Sequence, residues 1–192
     1  MTFKEKISEA KQHVGKLIQT HAVMMIFGMM VYLPIGIETP TRRTFSLLIG
    51  IVTMLFYYYL IDLYLWDVGA KDALRVKAGS QPDFKSKGLW AGLIAAIPDL
   101  ILGILHAVFY LNRSYKGFNS LNTIFTLITR TWEGAFAGFE RAVFGTGASA
   151  SETSFVWFYV ITPFIAAAFA GLSYYCGTKE FTIIPRPKRA KK

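Results

Sequence analysis

The sequence predicts an all-α membrane protein: a four-span transmembrane helical bundle with an N-terminal amphipathic helix and an extracytoplasmic helix that is amphipathic or re-entrant. Three observations lead to this fold class. Hydrophobic residues make up 53% of the chain and its mean hydropathy is +0.38, which is outside the usual range of soluble domains. Four apolar stretches long enough to cross a bilayer alternate with charged segments. Lysine and arginine are unevenly distributed among those segments.

Each predicted span is an apolar stretch bounded by polar or helix-breaking residues. The spans are expected at about residues 22–38, 44–66, 88–111 and 155–175, within a single membrane domain of 192 residues. The first stretch has only 17 residues, a helix of about 25 Å, and is therefore near the minimum length for crossing. The single cysteine excludes an intramolecular disulfide.

Residues 1–21 place apolar side chains at helical spacing and carry four lysines on the remaining surface. This pattern predicts an interfacial helix that lies on an anionic membrane surface and leads into the first span. The alternative is that this helix packs on the protein's own loops.

The distribution of basic residues predicts the orientation. With the N-terminus in the cytoplasm, 15 lysines and arginines lie on the cytoplasmic side and 6 lie outside. Because cytoplasmic loops hold the positive charge, four spans with both termini in the cytoplasm are expected.

The same basic residues also indicate what the chain binds. The net charge of +9 lies in loops and tails between apolar spans, which favours anionic lipid headgroups over nucleic acid. The loop 67–87 and the basic cytoplasmic tail 179–192 supply the candidate headgroup contacts. These contacts are Lys71, Arg75, Lys77, Arg186, Lys188 and Arg189.

A pattern of acidic residues and glycines runs through the loop 67–87 and into the third span. It consists of Asp67, Gly69, Asp72, Val76, Gly79, Asp83, Lys87-Gly88, Gly92-Leu93-Ile94-Ala95 and Ile97-Pro98. This pattern resembles a motif of an uncharacterised family of small polytopic bacterial membrane proteins and covers about 30 residues. The resemblance implies a protein of the bacterial cell membrane and implies no activity.

The third span carries Asp99 at its middle, with Pro98 beside it and His106 on the same helix face. A charged aspartate at that depth costs about 2.5 to 3.5 kcal/mol on insertion-based scales, so it must be protonated, paired or facing water. One hypothesis is that Asp99 and His106 line a path for protons or a small cation, with Pro98 opening the backbone. The alternative is that Asp99 hydrogen-bonds to a tyrosine or threonine of another helix.

Residues 119–147 form an amphipathic segment that either lies on the outer interface or dips into the membrane. Its Gly134 and Gly138 are spaced for close helix contact, and Ala167 and Gly171 give the fourth span a similar small-residue face.

Enzymatic functions find little support. Two of the three histidines, His13 and His21, are expected on the opposite side of the membrane from His106, which argues against a three-histidine metal site. The sequence contains no phosphate-binding loop and no nucleophile elbow, so no catalytic residue, metal or cofactor is expected.

The small-residue faces predict an integral membrane structural or accessory subunit, which acts through helix–helix contacts in an oligomer or with other membrane subunits. The alternative function is a small proton- or ion-coupled channel or transporter that uses Asp99.

Overall fold

The computed structural model describes residues 3–32, 40–144 and 153–183. These residues form seven α-helices and no strand, which confirms the all-α class. The helices are α1 (Phe3–Tyr32), α2 (Pro40–Lys77), α3 (Lys87–Ala95), α4 (Ile97–Leu111), α5 (Phe118–Trp132), α6 (Ala137–Phe144) and α7 (Thr153–Thr178), with a 3-10 turn at Gly134–Phe136 between α5 and α6.

Two or three of these helices are apolar and long enough to cross a membrane. They are Arg43–Lys77 within α2, Val156–Thr178 within α7, and the pair α3–α4 if its two parts count as one span. The first predicted span, 22–38, extends into residues that lie outside the described ranges.

Helix α1 is continuous through residue 21, where the sequence predicts the end of the interfacial helix and the start of the first span. Ala10, Leu17 and Met24 recur every seven residues and are all buried, so one face of α1 packs along the bundle. Its first half contacts the protein itself: the side chain of Glu9 reaches Lys87 at 3.3 Å. Packing on the protein's own elements is therefore the arrangement observed.

Helices α2 and α3–α4 differ from the predicted spans at their ends. The short helix expected after Asp67 is the continuation of α2, which runs to Lys77; Gly79 follows with a φ of +70°, a conformation that favours glycine. The third span breaks at Ala96, where α3 and α4 meet at a bend of 43°. Pro98 lies in the first turn of α4, where a missing N–H is tolerated.

Residues 118–144, which we call the inserted hairpin, enter the bundle and return to the same end. Thr126 of α5 contacts His106, and Trp132, six residues later, contacts Asp99, so α5 runs antiparallel to α4. Helix α6 runs back along α2, because Arg43 near the start of α2 donates to the carbonyls of Ala142 and Val143. The tip of the hairpin, around Glu133 to Phe136, is buried.

Glycine-to-backbone contacts hold the inserted hairpin in place. A Cβ atom on Gly28 of α1 would overlap the backbone of Gly134, and one on Gly50 of α2 would overlap the backbone of Gly138 and Phe139. Such close approach is possible only where both surfaces lack side chains.

Helix α7 uses its small residues against α2 and α3. Gly92 of α3 lies on Ala167, and Gly171 lies on Leu89. Gly69 and Gly88 both lie against Tyr174. The small-residue faces of the hairpin and of α7 are thus occupied within the chain.

Replacement of Gly28 by alanine should destabilise the protein, because the added methyl group would meet the Gly134 carbonyl. Overpacking of this kind costs about 1–3 kcal/mol. Gly15→Ala in the same helix is the matched control, since nothing lies within 4 Å of its Cβ position and alanine favours helix. The free energy of unfolding in mild detergent measures both variants; equal stability of the two would contradict the seating of the hairpin on Gly28.

Candidate functional site

Four side chains from four helices meet in what we call the central cluster: His21 of α1, Tyr57 of α2, Asp99 of α4 and Trp132 of α5. His21, Tyr57 and Asp99 are each less than 5% exposed. Buried polar groups are costly unless they are paired, so their mutual contacts matter for both folding and chemistry.

The contacts of His21 define its tautomer. Its Nε2 atom lies 3.0 Å from the backbone carbonyl of Trp132, and a carbonyl can only accept. Nε2 therefore carries a hydrogen, and Nδ1 of the neutral ring is free to accept the hydroxyl hydrogen of Tyr57 at 3.0 Å. The same Nδ1 atom lies 3.7 Å from Oδ2 of Asp99. A second proton on the ring would thus face the aspartate.

Trp132 connects the histidine to the carboxyl group. Its indole Nε1–H donates to Oδ1 of Asp99, while its backbone carbonyl accepts from His21. The two rings also lie against each other, with centroids 5.2 Å apart and an angle of 31° between their planes. One residue at the end of α5 therefore orients both ionisable groups.

A small cavity adjoins the central cluster. It is bordered by His21, Asp99 and Trp132 together with small residues of α3 and α7, and its volume open to the centre of a water molecule is about 20 Å³. A cavity of that size with polar walls holds about one water molecule. Water there would lie next to both the carboxyl group and the histidine.

The placement of His21 differs from the expectation that it lies on the opposite side of the membrane from His106. Helix α1 continues without a break and carries His21 into the interior of the bundle, to the depth of Asp99. Tyr57 and Trp132 were not among the predicted site residues, because neither carries a distinguishing local pattern.

His106 belongs to a second group of polar side chains, the hairpin cluster. Its Nδ1 atom lies 3.3 Å from the Thr126 hydroxyl, and its ring meets Tyr159 edge-on at 5.1 Å. Nearby, Arg130 Nε pairs with Glu140 Oε1 at 3.3 Å, and Tyr159 lies beside this pair. One ion pair within the hairpin thus joins α5 to α6.

Asp99 and His106 are both buried but are not in contact. Seven residues of helix separate them, a rise of about 10 Å, which is too far for direct proton transfer. The hairpin cluster and the central cluster therefore form two successive polar sites along the bundle.

A third group, the loop cluster, lies at the other end of the α3–α4 pair. Lys87 Nζ pairs with Asp72 Oδ2 at 2.8 Å and with Glu9 at 3.3 Å, and the Tyr174 hydroxyl donates to Asp72 at 3.1 Å. Lys87 and Asp72 are almost fully buried, so each neutralises the other's charge.

His13 lies near the loop cluster and forms a hydrogen bond of 2.8 Å with the Tyr64 hydroxyl. Burial lowers the pKa of His13 below its usual range, and the charge of Lys87 lowers the pKa further. His13 is therefore neutral at physiological pH and serves as a structural contact of α1.

The predicted headgroup contacts that fall in the described residues are exposed. Lys71 is on the surface, Arg75 pairs with Asp72 at 3.6 Å, and Lys77 pairs with Glu180 at 3.6 Å. The remaining three, Arg186, Lys188 and Arg189, lie in residues 184–192, outside the described ranges. Across the described ranges, no group of three or more histidine, cysteine or acidic side chains is arranged to hold a metal ion.

No family model, curated protein or solved structure matches the chain. The resemblance of residues 67–98 to a family of bacterial membrane proteins stays a prediction. Several residues of this pattern have structural roles. Asp72 and Lys87 form the buried ion pair, and Gly88 and Gly92 allow α3 to lie against α7.

Trp132→Phe should destabilise the protein by about 1–3 kcal/mol, because it removes the indole donor of a buried carboxyl group and keeps an aromatic ring. Trp157→Phe is the control, since Trp157 is 52% exposed on the apolar surface of α7. Thermal unfolding in detergent compares the two variants, and an equal effect of both would exclude a special role for the Trp132–Asp99 hydrogen bond.

Proposed function

We propose that this chain is a small integral membrane protein that carries protons through the interior of its helix bundle, with Asp99 and His21 as the central exchange pair. The observation that carries the proposal is the contact between a buried carboxyl group and a buried histidine in the middle of an apolar helix pair. Ionisable groups at such positions are uncommon and usually serve transport.

The size of the adjoining cavity supports the proton as the transported species. A space of about 20 Å³ is sufficient for about one water molecule. Water next to a carboxyl group and an imidazole is suited to relaying protons, because each group can both accept and release one.

The contacts suggest a route for the proton between two named atoms. A proton that leaves Oδ2 of Asp99 reaches the lone pair of Nδ1 on His21, across 3.7 Å or through the water of the cavity. The Tyr57 hydroxyl, which otherwise donates to Nδ1, must rotate away during this step. The product is an imidazolium–carboxylate pair, and Trp132 keeps its hydrogen bond to Asp99 throughout. The return transfer restores the starting state.

The two other polar clusters lie on either side of this pair. The hairpin cluster with His106 lies about 10 Å from Asp99 along α4. Lys87 of the loop cluster precedes Asp99 by twelve residues, about 18 Å of helix. We therefore include His106 in the proposed path as a later group, reached through the hairpin.

The subunit function predicted from sequence rests on the small residues Gly134, Gly138, Ala167 and Gly171. Because these positions contact neighbours within the same chain, they no longer point to a second protein. The proposed proton transport uses Asp99 and His21, two ionisable residues that helix packing alone does not require. A four-span topology with both termini in the cytoplasm, in a bacterial cell membrane, completes the proposal.

Asp99→Asn should abolish proton flux into liposomes that contain the purified protein and a pH-sensitive dye. Asparagine keeps the size of the side chain and cannot release a proton at neutral pH, so a loss of about 100-fold is expected. His21→Gln should have a similar effect, because it removes the accepting nitrogen.

Asp83→Asn serves as the control, since Asp83 is an exposed loop residue. Each variant is first checked for helix content and for elution as a single species. A folded Asp99→Asn protein with wild-type flux would rule out the proposed path.

A further inference from the structure

Glu133 is a buried carboxyl group that no ion pair neutralises within the described part of the chain. Its residue is 1% exposed, at the tip of the inserted hairpin, and in the described residues it forms no ion pair and its Oε2 makes no hydrogen bond. The Thr162 hydroxyl of α7 lies within interaction range of the carboxyl group. It can donate its hydrogen to an ionised carboxylate or accept one from the neutral acid.

The charges around Glu133 disfavour its ionised form. Asp99 of α4 and Glu140 of α6 face it with negative charge, and Tyr57 of α2 adds a hydroxyl group. Glu140 is balanced by Arg130, and Asp99 is balanced by His21 when that ring is protonated. Among the ion pairs of the described residues, none joins Glu133 to a cation.

The cost of an isolated buried carboxylate is large enough to decide its state. Transfer of an unpaired ionised carboxylate into a low-dielectric interior is so unfavourable that the group takes up a proton instead. A neutral carboxylic acid has an O–H donor, which the Thr162 hydroxyl can accept. Thr162 can bond to either form, so it is the lack of an ion pair in the described residues that favours the neutral acid.

We infer that Glu133 is held as a neutral carboxylic acid and is the group that exchanges protons between Asp99 and the hairpin cluster. The second part rests on the proposed function. Glu133 is buried at the hairpin tip and directly follows Trp132, whose indole bonds Asp99. It also lies in the chain between Arg130 and Glu140, the ion pair of the hairpin cluster, so it is placed between the two polar clusters. In the relay, Glu133 gives its proton toward Glu140 and His106 and regains one from Asp99.

Infrared difference spectroscopy of the purified protein tests the protonation state. At neutral pH the wild type should show carbonyl bands of protonated carboxylic acids, and Glu133→Gln should lose the component that Asp99→Asn keeps. Glu180→Gln, which changes an exposed carboxylate, should keep the band. Asp99→Asn is recorded in parallel so that the bands of the two acids are distinguished. Glu133→Gln should also fold as well as the wild type, because glutamine resembles the neutral acid.

A carbonyl region that Glu133→Gln leaves unchanged from the wild type, or a large loss of stability in that variant alone, would overturn the neutral state. Disappearance of the wild-type band on addition of sodium chloride would also overturn it, since a metal ion would then replace the proton.

Proton flux tests the relay. Glu133→Gln should reduce liposome flux by about 100-fold relative to the wild type and to Glu180→Gln. Flux that survives in Glu133→Gln and fails in Asp99→Asn would remove Glu133 from the path while leaving the proposed function intact. A wild type without flux would remove both the function and the relay, and the infrared band would still decide the protonation state.

Discussion

The contact on which the rest of the structure depends is the one made by Trp132. Its backbone carbonyl and its indole N–H hold His21 and Asp99, two ionisable groups from different helices, inside an apolar bundle. Without the indole, Asp99 would lose its hydrogen-bond donor, and a buried polar group without a partner is strongly destabilising. The inserted hairpin is thus a source of polar partners as well as of packing.

The position of the hairpin depends in turn on glycine. Gly28 and Gly134 bring α1 against the hairpin tip, and Gly50 and Gly138 bring α2 against α6. This close approach places Glu133 at the depth of Asp99. The glycine contacts that hold the hairpin in the bundle therefore also bury a carboxyl group. Packing and chemistry cannot be separated at this point of the bundle.

The polar side chains form two kinds of region in the bundle, which differ in whether their charges are paired. In the loop cluster, Lys87 and Asp72 neutralise each other and join α2, α3 and α7, which is a structural arrangement. In the central cluster and at Glu133, there are more titratable groups than permanently charged side chains that could keep each group in one protonation state. Proton exchange is the property expected of the second arrangement and not of the first.

The sequence alone determined the helical class, the apolar stretches of α2, α3–α4 and α7, and the special status of Asp99, because all of these follow from hydropathy and from the cost of burying charge. Only the tertiary structure decided the partners of Asp99. His21 and Trp132 lie 78 and 33 residues away in the chain, and neither position carries a periodic signal that would relate it to residue 99. Their proximity comes from the continuity of α1 and from the return of the hairpin, which depend on contacts between helices and not on local sequence.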